Sequence, residues 1–204
     1  MFQDAFIKLD TLECETIMEE IGPSIQGGDF KADNVTILGQ PLSFYPGYRF
    51  LDVANHNSVP AARRFVIYKP GDNVVLNWTN EPIYALNEKA PIALDENNVV
   101  DYVRFFFTYI KGRHGRFIVC ENIDDILWRE DPPPAARQAM GKIIKPVTLV
   151  AANDDGSYTL DVCMMFKNAL FKARVDVAPN GETGLSQEEL LVEDMPVLDD
   201  MFGQ

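Results

Sequence analysis

Residues 95–128 read DENNVVDYVRFFFTYIKGRHGRFIVCENIDDILW and present a helix, a basic turn and a buried strand in succession. The polar residues Asn97, Asp101, Arg104, Thr108 and Lys111 recur at spacings of four, three, four and three. At about 100° per residue they form one narrow stripe, and everything else from 99 to 110 is apolar. A helix apolar around most of its circumference needs cover on several sides, so residues 98–111 are the predicted centre of a domain. Asn98 is the expected N-cap, and Asp95, Glu96 and Asp101 place negative charge at the positive end of the helix dipole. Gly112 suits the left-handed residue after the last turn, with Lys111, Arg113 and His114 at the negative end. Residues 116–120, RFIVC, then read as a strand beside the helix.

Upstream, residues 34–94 alternate short β-rich runs (VTILG, SFYPGYRFLDV, RFVIYK, NVVLNW, PIYAL) with Pro-Gly and Asn-Glu-Pro turns. They predict an antiparallel, curved sheet of about four strands packed on the central helix. Ahead of it, residues 10–21 form a short helix with Leu12, Ile17 and Ile21 on one side, stopped by Gly22-Pro23. Downstream, Asp131 and three prolines open a short helix or linker. Two cleanly alternating runs, Tyr158 to Phe166 and Phe171 to Val177, follow and are strands, with turns at Asn153-Asp154-Asp155-Gly156 and Pro179-Asn180-Gly181. Ser186 and Glu189 have capping-box spacing before QEELLVED, a last short helix or extended segment, and the tail after Pro196 is expected to fray. The fold class is α+β: an α+β domain over 1–130, a Pro-rich linker or short helix over 131–141, and a small β-barrel-like or meander unit over 142–204.

Composition narrows the functional classes. Hydrophobic residues make up 47% and charged residues 24%, an ordinary globular balance, and the net charge of −13 opposes binding to nucleic acid or to an anionic membrane surface. Cys14, Cys120 and Cys163 are odd in number and widely spaced, which is no disulfide framework. The acidic N-terminus is unlike a signal peptide and no stretch approaches the roughly 18 apolar residues of a membrane span, so a cytoplasmic protein is expected.

The basic turn Lys111-Gly112-Arg113-His114-Gly115-Arg116 is the one local concentration of positive charge, and its backbone is approachable at two glycines. It is a candidate binding site for a small anion, although a helix C-terminus presents carbonyl oxygens rather than N–H groups, so helix capping and surface pairing are the competing reading. Tyr45, Tyr48, Tyr84 and Tyr109 are the aromatics to watch for a cleft lined between sheet and helix. The histidines His56 and His114 and the cysteines sit in no hydrolase signature; GxSxG, HExxH, GxGxxG and GxxxxGK[ST] are all absent. No catalytic residue, metal ligand or cofactor is assigned.

The stretches YVRFFFTYIKGRHGRFIVCE, 102–121, and ALFKARVDVAPNGETGL, 169–185, resemble segments of bacterial proteins of unknown function and similar length. The resemblance implies a bacterial cytoplasmic protein and brings no activity, ligand or site residue with it. The expectation is a non-enzymatic ligand- or protein-binding module. Its partner would be a second copy, with Met164, Met165, Leu190 and Leu191 as an exposed patch, or another protein. The alternative is an enzyme acting on a small anionic substrate at the 111–116 turn.

Overall fold

The computed structural model describes residues 6–25, 27, 29–112 and 115–198. Among them the chain forms four α-helices and two five-stranded antiparallel sheets, the expected α+β class. Its contacts divide it between Ala93 and Leu94 into two compact units.

The first unit holds β1 (Ile7–Lys8), β2 (Val35–Pro41), β3 (Arg49–Asn55), β4 (Ala62–Lys69) and β5 (Asp72–Val75), each paired with the next. Alternation puts Ile37, Leu51, Val53, Val66 and Tyr68 in one core with α1 (Thr11–Ile21). The side chain of Asp10 caps that helix by accepting from the Glu13 N–H at 2.9 Å. Cys14, Ile17, Met18 and Ile21 recur at three, four and seven residues and form its buried stripe. Leu12, expected on that side, is 73% exposed, because two residues before Cys14 is some 200° around the helix.

PIYAL is not a strand but part of α2 (Glu81–Lys89). Pro82 sits in the first turn, where its missing N–H costs nothing, and Ile83, Leu86 and Asn87 recur at helical spacing on the buried face.

The second unit contains α3 (Val99–Tyr109), β6 (Phe117–Val119), α4 (Pro134–Ile143), β7 (Thr148–Ala152), β8 (Tyr158–Phe166), β9 (Ala169–Val177) and β10 (Thr183–Val192). The strands lie in the order β10-β9-β8-β6, with β7 also pairing β8 farther along, so this sheet is an open meander rather than a closed barrel. The turns at Gly156 and Gly181 take φ of 81° and 80°, which glycine adopts without a Cβ penalty. Helix α3 packs against β6 and β7. Because β6 pairs with β8, the Pro-rich stretch 131–141 lies inside this unit, where α4 begins at Pro134.

Local signals failed at three places. Helix α3 ends at Tyr109 with Ile110 extended, so Gly112 is not its cap but bridges to Gly115. Asn98 precedes the helix, yet its side chain accepts from the Asp95 N–H, not from the first turn. Ser186 forms no capping box: QEELLV continues β10, where the Ser186 hydroxyl donates to Asp176 at 2.7 Å and the register slips between Ser186 and Glu189. Beyond Pro196 the chain is still held at Val197 and Leu198, which bond to the strip around Trp128, while 199–204 lie outside the described residues. No helix among the described residues is long and apolar enough to cross a membrane.

Candidate functional site

The basic turn closes on itself. The Gly115 N–H donates to the Gly112 carbonyl at 3.2 Å, and Gly115 takes φ of 144°, with Phe166 where a Cβ would point. Arg113 and His114 lie outside the described residues. Lys111 is exposed, whereas Arg116 is half-buried and donates through Nη2 to the Thr108 carbonyl at 2.9 Å. It thus satisfies a carbonyl of the last turn of α3, the capping role that competes with anion binding.

The four tyrosines are divided between the units. Tyr45 and Tyr48 lie 6.2 Å apart in the first, both buried, in the tight turn between β2 and β3. The Tyr45 hydroxyl donates to Asn87 on α2 at 2.5 Å. The Tyr48 hydroxyl donates to Asp72 at 2.7 Å, and Lys89 donates to the other oxygen of that carboxylate at 2.5 Å. The hydrogen bonds of Lys89 and then Tyr48 hold the Asp72 carboxyl below the usual carboxylate range. Burial first, and donation to that carboxylate second, pushes the Tyr48 phenol up to about 12. Tyr84 is half-buried on α2 in the same unit. Tyr109, in the second unit, is buried on α3 with its ring 5.2 Å from that of Phe105.

Partly buried ion pairs are also built into the scaffold. Arg104 donates twice to Glu121, at 2.8 Å each, and once to Asp101 at 2.9 Å, and Glu121 further accepts from the Val147 N–H. Burial opposes ionisation of Glu121, but Arg104 and the Val147 N–H outweigh it and leave its pKa lowered. In the first unit Asp52, on β3, receives two hydrogen bonds from Arg63 on β4, yet burial keeps its carboxyl above the usual range. The three cysteines are free and buried, and burial first, with Asp125 next, pushes the Cys120 thiol up to about 12. His56 sits 2.9 Å from Thr36. No three His, Cys, Asp or Glu side chains converge as metal ligands among the described residues.

Two concavities of the second unit are apolar, while a further one, of about 480 Å³, is lined by Arg129, Lys167, Asn168 and Asp194 as well as by Met195 and Val197. One, of about 280 Å³, opens on the sheet face over Phe117, Phe166 and Phe171, where the first two rings stack at 4.7 Å. Another, of about 320 Å³, is a groove beside α4. It exists because the strip after the 3-10 turn at Ile123–Asp125 pairs with the strip after β10. Trp128 bridges to Val197, Arg129 N–H donates to Pro196 and Leu198 N–H to Leu127. Trp128, Met140, Val192 and Met195 line its floor, while Glu130, Asp131, Glu193 and Asp194 stand around them.

Sequence reasoning missed this groove. The acid pairs Glu130-Asp131 and Glu193-Asp194 flank apolar residues in each strip, but only long-range pairing brings the strips together. Met164 and Met165, expected in an exposed patch, are 1% and 4% exposed; Leu190 alone of that set is largely exposed, at 49%, and Leu191 is half-buried. Both methionines lie on β8, inside the sheet: Met165 packs in the core with Cys120, Ile126 and Leu170, and Met164 lines the concavity with Phe117 and Phe171. No family model, no curated protein and no solved structure matches the chain.

Proposed function

We propose that this protein is a non-enzymatic binding module and that its ligand site is the groove beside α4. One contrast carries the reading. The cations and carboxylates of the interior are engaged in structural pairs such as Arg104 with Glu121 and Tyr48 with Asp72, whereas the groove offers an apolar floor without a convergent catalytic set. At about 320 Å³ it stands at the low end of the roughly 300–1,000 Å³ of ligand pockets. We place the module in the cytoplasm, with no nucleic-acid or membrane partner, in keeping with its net charge of −13.

The alternative, chemistry on a small anion at residues 111–116, draws no support from Arg116, which is turned to the Thr108 carbonyl. Nile red, a neutral apolar dye, tests the site. Its emission is expected to rise with the protein and to fall back in Ala136→Trp, a substitution at an exposed α4 position that fills the groove. Emission unchanged in that variant would remove the groove from consideration.

A further inference from the structure

Resting on the groove as the ligand site, we infer that its occupant is a cationic peptide segment of another protein, anchored by large apolar side chains. Trp128, Met140, Val192 and Met195 offer side-chain-sized apolar contacts in which aliphatic or aromatic anchors lose water. Glu130 and Asp131 come from one strip and Glu193 and Asp194 from the other, so the apolar floor is bordered by carboxylates of both. Asp194 accepts from the Asn168 side chain at 3.3 Å. Among the described residues, the charged ones that line the groove are all carboxylates, with Arg129 and Lys167 lining only the adjoining concavity beyond Asp194. Such a border attracts lysine and arginine and repels anions, which sets fatty acids, phosphates and nucleic acid aside.

The same charge argues against a second copy. A second copy carries a net charge of −13, so its approach to these carboxylates is opposed by the repulsion between the two molecules. A metal ion is also a poor fit, since no three of the carboxylates converge among the described residues. What remains is a segment that carries cations for the border and apolar groups for the floor. The groove is too small and open to enclose a folded domain, but it can seat a few side chains of a chain lying across it.

The test uses Trp128 as reporter. The chain has two tryptophans, so Trp78→Phe leaves Trp128 alone. This protein is titrated with a peptide of alternating leucine and lysine and with its twin carrying glutamate for lysine. The leucine–lysine peptide is expected to shift Trp128 emission. Its dissociation constant should rise several-fold in the double variant Glu130→Gln with Glu193→Gln, most steeply at low salt, and the shift should vanish in Ala136→Phe, which fills the groove without adding an indole. Equal binding of the two peptides, or leucine–lysine binding that survives Ala136→Phe, would overturn the inference. If Nile red occupies the groove and the leucine–lysine peptide does not, the peptide is wrong and the groove stands; if neither binds, both fall. Should Trp78→Phe unfold the protein, the methyl resonances of Met140 and Met195 in the unmodified chain report the same titration.

Discussion

Arg104 and Glu121 illustrate how single side chains decide whether burial of charge is tolerated. Their side chains are 26% and 13% exposed, so each is desolvated enough to need the other. Arg104→Met is therefore expected to lower unfolding free energy by about 3 kcal/mol, because Glu121 is left without its counter-charge. Combined with Glu121→Gln most of that loss should return, as urea denaturation of the three variants would show. Asp72 and Asp52 make the opposite pair. The folded pKa of Asp72 is depressed, so its ionisation adds stability above the unfolded value of about 3.9, lost as pH falls through the folded value. That of Asp52 is raised by burial, so its ionisation costs stability at neutral pH, recovered as pH falls. At pH 7, Asp72→Asn should lower the melting temperature and Asp52→Asn should leave it equal or higher, since Arg63, with its side chain 53% exposed, stays hydrated. Both differences should shrink in acid, and a Tm drop in Asp52→Asn as large as that in Asp72→Asn would refute the assignment.

Elements follow local patterning only where no long-range demand competes with it. Helix α3 was legible because its polar stripe and its buried ring set have one period; Tyr102, Phe105, Phe106 and Tyr109 are all buried. Phe106→Ala should cost roughly 3–5 kcal/mol, and a denaturation curve matching the parent would show that this ring contributes no core packing. Strands β8 and β9 were legible for the same reason, with Leu160, Val162, Val175 and Val177 alternating inward. The five residues of PIYAL are too short a run to tell period two from period 3.6, and the flanking Asn80 and Lys89 that complete the helix fell outside the run. In β10, Ser186 and Glu189 carried a helix-start signal, but pairing with β9 supplied the backbone partners that a helix would have supplied internally.

At the scale of the molecule, charge dominates what can be predicted. A chain of net charge −13 repels itself, so its melting temperature at neutral pH should rise from low to physiological ionic strength; a fall would mean that ion pairs such as Arg104 with Glu121 outweigh the general repulsion. The sequence by itself determined the α+β class, the N-terminal and central helices, the alternating strands and their glycine turns, because each rests on contacts within a few residues or on a repeat visible in one dimension. It also determined the acidity on which the proposed preference for a cationic partner rests. Only the tertiary structure decided that PIYAL is helical, that Met164 and Met165 are buried, and that Arg116 serves the end of α3. The groove is the clearest case: Trp128 and Met195 stand 67 positions apart, and what joins their strips is backbone pairing between residues 127–129 and 196–198, an interaction that depends on the closing of a long loop and leaves no period in the chain.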